Sequence, residues 1–388
     1  MILRRVALLL AAVGMTVYGW GCKQKGEDAA SKDEILVGHF AALTGTTATF
    51  GESTNRGVML AIEEANAAGG VNGKKIKLLV EDTQSKADQA RTAVIKLVSQ
   101  NKVQAVLGEV ASTRTMAGAP VAQEAKVPLI TPSSTNPEVT KKGDYIFRVC
   151  FTDDFQAAVV AHFAWDQGYR TAAIFKDIKN DYSVQFAKVF ADEFTRLGGK
   201  IVNEQAYQEG NQDFKAQLNN IKSSKPDCVL IPGYYSEVGT IARQAREIGL
   251  TVPLLGGDGW ESPKLVPGAG TALEGCFFSN HYFSTELDDP ATKQFISAFE
   301  AKYKTRPDAL AALGYDAARL LVDAMKRAKS LDGPDLRDAI AQARDFAGVT
   351  GKITIDENRN ARKQALIMQI KGPDFKVFKT YSPEQIAK

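Results

Sequence analysis

Residues 75–135 read KIKLLVEDTQSKADQARTAVIKLVSQNKVQAVLGEVASTRTMAGAPVAQEAKVPLITPSST, and within them the spacing of apolar side chains changes period four times. Residues 75–81, 103–107 and 127–131 are apolar runs of strand length. Between them, residues 86–100 and 113–125 carry apolar positions at helical spacing. Strands joined through helices lie parallel, by right-handed crossovers. The stretch therefore predicts a parallel sheet covered by helices.

The same alternation extends in both directions. Upstream, 35–40 is a buried strand, and 52–67 a helix with Val58, Met59, Ile62 and Ala65 on one face, stopped by Gly69-Gly70. Downstream the succession repeats: strand 170–175, helix 182–197, strand 200–207, helix 214–223, strand 227–231, helix 237–248 and strand 252–255. The repetition is architectural, since no sequence period accompanies it. The remainder holds helices over 290–304, 310–328 and 335–343 and strands over 352–355 and 365–370, too little for a third sheet. These pieces complete the first two units, which predicts two doubly wound α/β lobes with crossings near Thr152, Ser279 and Asp356. Several crossings make a hinge that bends without letting the lobes separate.

The chain has 388 residues, 44% hydrophobic and 24% charged, with a formal charge of +3 that falls to +1 without Arg4 and Arg5. No basic stripe marks a nucleic-acid surface. Arg4-Arg5, the apolar run 6–17 and the small Gly19 and Gly21 before Cys22 have the order of an export signal. Cys22 followed by the polar tract 23–33 resembles a bacterial lipobox and tether, although Gly19 stands where such a box carries Leu. Ordinary cleavage near this point is the other reading. Cys150, Cys228 and Cys276 each lie in an apolar, strand-like segment, where cysteine behaves as a small buried hydrophobe. One disulfide among them stays open in an oxidising compartment. His39, His162 and His281 show no metal-ligand spacing, and no cofactor or metal is expected.

In open parallel sheets ligands bind beyond the carboxyl ends of the strands, so the loops after the strands carry the function. Two loops of the first lobe, Glu109-Val110-Ala111-Ser112-Thr113 and Ser133-Ser134-Thr135-Asn136, offer hydroxyls and helix N-termini suited to a carboxylate. In the second lobe Asp258 sits on a glycine-flexed loop beside Trp260, and Tyr182 and Tyr234 follow strands. An anion site would thus face a cation site across a cleft, as a zwitterion requires. No nucleophile elbow, phosphate loop or dinucleotide fingerprint follows a strand. Asp82 and Asp177 end strands without a histidine nearby and read as structural.

These loops resemble those of the leucine/isoleucine/valine-binding proteins, the extracytoplasmic receptors of branched-chain amino-acid ABC importers. The resemblance runs from Ile35 to about Asp374. It is carried by Ala65-Asn66-Ala67-Ala68-Gly69-Gly70-Val71-Asn72-Gly73, Ile130-Thr131-Pro132, Gly233-Tyr234-Tyr235-Ser236-Glu237, Arg243-Gln244-Ala245-Arg246 and Gly314-Tyr315-Asp316-Ala317. It implies the type I periplasmic-binding fold. The resulting layout is a signal peptide over 1–21, a tether over 22–33, a first lobe of 34–152 plus 280–355, and a second of 153–279 plus 356–388. It also implies that Ser112 and Thr135 hold the ligand carboxylate beside the backbone of Val110 and Ser133, and that Asp258 binds the ammonium. Tyr182 and Tyr234 come from the second lobe, with Phe50 and Tyr315 at the rim and Trp260 beside the acid. Relative to the family pattern, Asp258 replaces Glu, Phe50 replaces a frequent Tyr, and Trp260 replaces a small residue. The implied partners are an amino acid, the inner-membrane subunits of an ABC permease and, through Cys22, a lipid anchor, for a monomer in the periplasm or at the cell surface. An amide, urea or aromatic ligand, a ligand sensor and a secreted hydrolase are the competing readings.

Overall fold

The computed structural model describes residues 34–284 and 289–386, so Cys22 and the leader lie outside it. The first sheet comprises β1 (Glu34–Ala41), β2 (Lys75–Asp82), β3 (Ala105–Gly108), β4 (Leu129–Thr131) and β5 (Ile146–Arg148). All its pairs are parallel, in the order β2-β1-β3-β4-β5. Its helices are α1 (Ala48–Ala67), α2 (Ala87–Ile95), which runs on through a π-turn at Lys96–Gln100, and α3 (Ser112–Glu124).

After β5 the chain enters α4 (Asp153–Asp166) and builds the second sheet. Its elements are β6 (Thr171–Asp177), α5 (Asp181–Arg196), β7 (Lys200–Tyr207), α6 (Lys215–Ser223), β8 (Cys228–Leu230), α7 (Tyr235–Glu247), β9 (Leu254–Gly256), α8 (Leu265–Ala269) and β10 (Phe277–Asn280). The chain then returns with α9 (Pro290–Tyr303), α10 (Ala309–Arg327), α11 (Gly333–Ala341) and the ribbon of β11 (Phe346–Gly348) and β12 (Gly351–Ile353). Finally β13 (Ala365–Lys371) and β14 (Asp374–Tyr381) add antiparallel strands to the second sheet, whose order is β14-β13-β10-β9-β8-β6-β7. Residues 149–152 and 354–364 link the two sheets, and a third link follows Asn280.

Each sheet is buried on both faces, which explains why its strands read as near-continuous apolar runs. One face of the first sheet packs Val37, Leu107, Ile130 and Phe147 against Phe295, Leu313, Leu320 and Ile340 of the returning helices. The other packs Phe40, Val106 and Leu129 against Val94, Leu97 and Ala119 of α2 and α3. The second core gathers Phe163, Phe175, Phe186, Phe190, Leu255 and Ile367. α1 and α10 approach closely at two glycines. A Cβ at Gly57 would fall 1.9 Å from the Ala311 carbonyl oxygen, and one at Gly314 would fall 2.5 Å from that of Thr54.

Six of these elements escape the sequence periodicity, α8 and β11 because they are only five and three residues long. α4 has buried side chains around most of its circumference, from Ala157 to Ala164, so no polar stripe marks a 3.6-residue period. β5 and β10 are three and four residues long, and β14 is an edge strand whose residues alternate between exposed and half-buried. Cys150, Cys228 and Cys276 are free, buried thiols. Burial pushes Cys150 up to about 12 and raises the other two as well, so all three stay protonated and unreactive.

Candidate functional site

The strand order of each sheet reverses at one place, between β1 and β3 and between β6 and β8. A crevice opens at such switch points because the following loops run to opposite faces. The two crevices meet in one small cavity, with about 10 Å³ open to solvent centres. Phe50, Val110, Ser112, Ser133, Thr135 and Leu310 line it from the first lobe, and Tyr182, Tyr234, Asp258 and Gly259 from the second. The open volume is room for about one water, so the two lobes meet tightly around the site.

The first wall is set by a buried ion pair. Gly108 has φ +116, and a Cβ there would lie 2.0 Å from the Phe40 carbonyl oxygen, so only glycine lets the loop turn after β3. Glu109 then points into the lobe. Its carboxylate accepts from the backbone of Ala42 and Ala111, each at 3.0 Å, and from Arg114 Nε at 2.8 Å. Arg114 in turn donates to Thr47 Oγ1 at 2.8 Å. Glu109 and Arg114 thus hold the loop and do not face the cavity, leaving Val110 and Ser112 to do so.

The loop after β4 divides its side chains by alternation. Ser134 is consumed by the scaffold, donating to the carbonyls of Glu109 and Val110 at 2.9 and 3.0 Å. Asn136 Nδ2 bonds the Asp181 carbonyl across the lobes at 2.9 Å. Ser133 and Thr135, between them, face the cavity. Ser112 Oγ accepts from the Asn136 backbone at 3.1 Å, which leaves its own hydrogen free to donate. Ser133 Oγ is buried and, among the described residues, has no hydrogen-bond partner. Ser112 is also the first residue of the 13-residue α3, whose unpaired N–H groups and positive dipole end favour an anion.

The second wall is aromatic and acidic. Asn180 caps α5 by accepting from the Tyr182 backbone, and the Tyr182 ring stacks on Tyr234 at 5.5 Å with 13° between planes. Phe50 of the opposite lobe meets Tyr234 edge-on at 5.2 Å. Asp258 Oδ1 accepts from Gln156 Nε2 at 2.9 Å, and Oδ2 from His281 Nε2 at 2.9 Å. Gln156 Nε2 also donates to Asp153 Oδ1 at 2.8 Å. Burial, followed by the Asp258 charge, raises Asp153 well above the usual carboxyl range, which favours its protonated form. Burial lowers His281 despite the neighbouring Asp258. It is a neutral imidazole stacked 3.7 Å from Phe151. The cluster therefore carries the Asp258 charge with no basic partner bonded to it.

Eight of the ten residues singled out for ligand contact line this cavity. Trp260 and Tyr315 do not, and both expectations are corrected. Trp260 is fully buried in the second lobe, with Nε1 donating to the Ile231 carbonyl at 3.0 Å and the ring against Gly256. It shares a 3-10 turn with Asp258, where residues two apart point in different directions. Tyr315 packs on Phe295 and donates to Glu64 Oε2 at 2.6 Å. Asp82 and Asp177 cap their loops, accepting backbone N–H groups from Leu43 and Lys179. Leu310, Gln156 and His281 were missed. Leu310 is one apolar residue in an apolar helix, and the other two reach Asp258 only through long-range packing.

Thr113 and Asp181 join the lobes at the mouth, where the Asp181 backbone donates to Thr113 Oγ1 at 3.0 Å and Thr113 Oγ1 to Asp181 Oδ2 at 2.9 Å. Thr46 Oγ1 donates to Glu209 Oε1 at 2.7 Å. With Phe50, Val110 and Leu310 packed into the second core, the lobes are closed on each other. Among the described residues no helix is long and apolar enough to cross a membrane.

Two hinged α/β lobes around a buried polar cavity define a solute-binding protein. Residues 34–375 match the model of the periplasmic binding protein family, and the chain belongs to that family. It is 30% identical over 338 residues to a Leu/Ile/Val-binding protein homolog of Brucella abortus, a match covering 86% of this chain and 90% of that one. An amino acid binding protein of Pseudomonas aeruginosa is 36% identical over 239 residues, 61% of this chain and 64% of that protein's length. Among solved structures, the leucine-binding protein LivK of Thermotoga maritima superposes with a TM-score of 0.88 at 38% identity, covering 90% of this chain and 99% of that one. LivJ of Streptococcus pneumoniae, in complex with isoleucine, gives 0.85 at 33%, covering 90% and 100%. The relatives are thus substrate-binding proteins of branched-chain amino-acid ABC transporters, and the expected two-lobed fold is the one observed.

Proposed function

We propose that this protein closes its two lobes on a branched-chain amino acid and delivers it to an ABC permease. The observation that carries the reading is the polarity of the cavity. Hydroxyls of Ser112, Ser133 and Thr135 and the α3 N-terminus stand on one wall, and Asp258 stands on the other. In this reading the α-carboxylate meets the hydroxyls, and the unpartnered Ser133 Oγ supplies a further donor. The α-ammonium meets Asp258, while Phe50, Leu310 and the two tyrosines enclose the aliphatic side chain. Residues 1–21 direct export, Cys22 bears a lipid, and 22–33 tether the monomer at the periplasmic face. The lobes span 34–152 with 280–355, and 153–279 with 356–388.

Magnitudes support enclosure. Leucine has nine non-hydrogen atoms, and micromolar binding requires about −8 kcal/mol, roughly −0.9 per atom against a ceiling near −1.5. Burying the side chain contributes ~1.5–3 kcal/mol. Charge-assisted bonds in a closed, water-poor cavity must provide the rest. No enzymatic role is assigned: the cavity holds no nucleophile bonded to a base, since His281 faces Asp258 and Ser133 Oγ has no partner.

One structural neighbour, from Rhodopseudomonas palustris, is a complex with benzoate at 25% identity and a TM-score of 0.81. The aromatic wall suits such a ligand, but an aryl carboxylate leaves Asp258 without a cation. Isothermal calorimetry with the twenty L-amino acids, benzoate and branched-chain amides tests the reading. Leucine, isoleucine or valine should bind most tightly, and tighter binding of benzoate than of every amino acid would overturn it.

A further inference from the structure

Outside the amino-acid cavity, a second acidic side chain crosses the lobe interface. Glu261 follows the 3-10 turn of the second lobe and is 6% exposed. Its Oε2 accepts from Asn280 Nδ2, at the end of β10, at 2.8 Å. Its Oε1 accepts from the Ala309 backbone at 3.3 Å, in the other lobe. Both partners are neutral. The residue before Ala309 is Asp308, the N-cap of α10, which accepts from the Ala311 backbone at 2.8 Å and from the Ser53 hydroxyl. The closed structure thus sets the buried Glu261 of one lobe near the half-buried Asp308 of the other, at one helix start.

Among the described residues no cation bonds Glu261, while Arg56, Arg306 and Lys376 line the same crevice as it does. Asp258 lies on the cavity side, and the neutral His281 bonds Asp258 rather than Glu261. On the α1 side, Arg56 acts on Asp308, and Glu52 shares the crevice. Arg306, before α10, bonds Glu300, while Asp374 and Lys376 of β14 line the far side of the same crevice. Burial, then Asp308, push Glu261 up to about 8, and burial also raises Asp308.

We propose that lobe closure takes up a proton at the Glu261–Asp308 contact, so that ligand capture is proton-coupled and strengthens as pH falls. The inference rests on the amino-acid-binding reading above. Its sign follows from linkage. With the lobes apart, Glu261 faces water and titrates near ~4.3, the ordinary glutamate value. With the lobes together it keeps its proton up to about pH 8. The closed form therefore binds more protons, and its advantage, complete below the open-state value, is lost as pH rises through the closed-state value. Between the two, the dissociation constant should rise by up to about tenfold per pH unit, and above them it should level off.

Calorimetry with the leading branched-chain amino acid, in two buffers of different ionisation enthalpy at pH 7, measures the proton uptake directly. The wild type should take up close to one proton more per ligand than Glu261→Gln, and its affinity should weaken more steeply from pH 6 to 7.5. Asp153, also raised by burial, is intact in both proteins and cancels in the difference. Asp308→Asn keeps a helix cap and should lower the uptake by relieving Glu261 of its acidic neighbour. It supplies the comparison should Glu261→Gln not fold. Equal uptake in wild type and variants overturns the proposal. A wild type that binds no amino acid at all overturns the functional reading instead.

Discussion

Replacing Asp258 by Asn tests the ammonium site with the least change of shape. In the structure Asp258 bonds Gln156 through one oxygen and His281 through the other, both 2.9 Å away. An amide in the same place keeps one acceptor oxygen, and Gln156 or His281 can still donate to it. The formal charge is what disappears. Removing one member of a buried charge pair costs about 2–5 kcal/mol, because the other charge stays in the cavity without its partner. At 1.4 kcal/mol per decade, that is a loss of affinity from roughly 30-fold to several thousand-fold. The unliganded protein should not be weakened, since even in the closed form Asp258 is a 7% exposed carboxylate with only neutral partners, beside the raised Asp153. Its melting temperature without ligand should hold or rise, while the ligand-induced increase should vanish. Isothermal calorimetry and differential scanning fluorimetry on the same preparation read both quantities. A Asp258→Asn protein that binds leucine or isoleucine within threefold of wild type refutes the assignment.

Ser133→Ala removes an unpartnered buried hydroxyl, so the unliganded protein should be unchanged or slightly more stable, while ligand affinity drops by about 1.5 kcal/mol, roughly tenfold. A parallel loss of stability and no loss of affinity would show that the hydroxyl serves the scaffold. Phe190, fully buried and stacked on Phe194 at 5.4 Å, anchors the second core. Its replacement by Ala should cost about 3–5 kcal/mol and be seen as a lower midpoint in denaturant melts. In a thermal-shift panel, leucinol and isoamylamine, which keep the amine but lack the carboxylate, should shift the midpoint far less than leucine. Equal shifts would count against the hydroxyl wall.

The parallel lobes were legible because the central strands are buried on both faces and most helices on one. The loop residues were legible because a ligand site at a switch point draws on strand ends. What stayed hidden is geometry that depends on direction around an axis. Leu310 and Tyr315 share α10, five residues apart, which at 100° each places them about 140° apart around the helix. Leu310 therefore enters the cavity while Tyr315 meets Glu64. Trp260 failed for the same reason on a tighter turn. Gln156 sits on α4, whose all-round burial removes the helical period, and His281 belongs to a linking segment with no period at all. Glu109 read as part of an anion-binding loop. Only its buried bond to Arg114 reveals that its charge is already matched.

The charges around the cavity explain why a two-lobed receptor here should stay open until it is filled. Closing without ligand buries Asp258 against neutral partners, and brings Glu261 to Asp308, with no cation bonded to either Asp258 or Glu261. Burying a carboxylate without a counter-charge carries an effective penalty of several kcal/mol even after relaxation. The bonds that close the mouth, among them Thr113 to Asp181 and Thr46 to Glu209, are exposed and neutral-to-charged, and each contributes on the order of 1 kcal/mol. Alone they do not offset two buried acids, and the packing of Phe50, Val110 and Leu310 works against that penalty. An ammonium group at Asp258 removes one penalty, and a proton at Glu261 removes the other. A ligand shifts such an equilibrium only by its differential affinity for the closed state, and that differential is largest for a molecule carrying both charges of an amino acid. Selectivity for the zwitterion is then set by the cost of closing around anything else, more than by the contacts to the side chain.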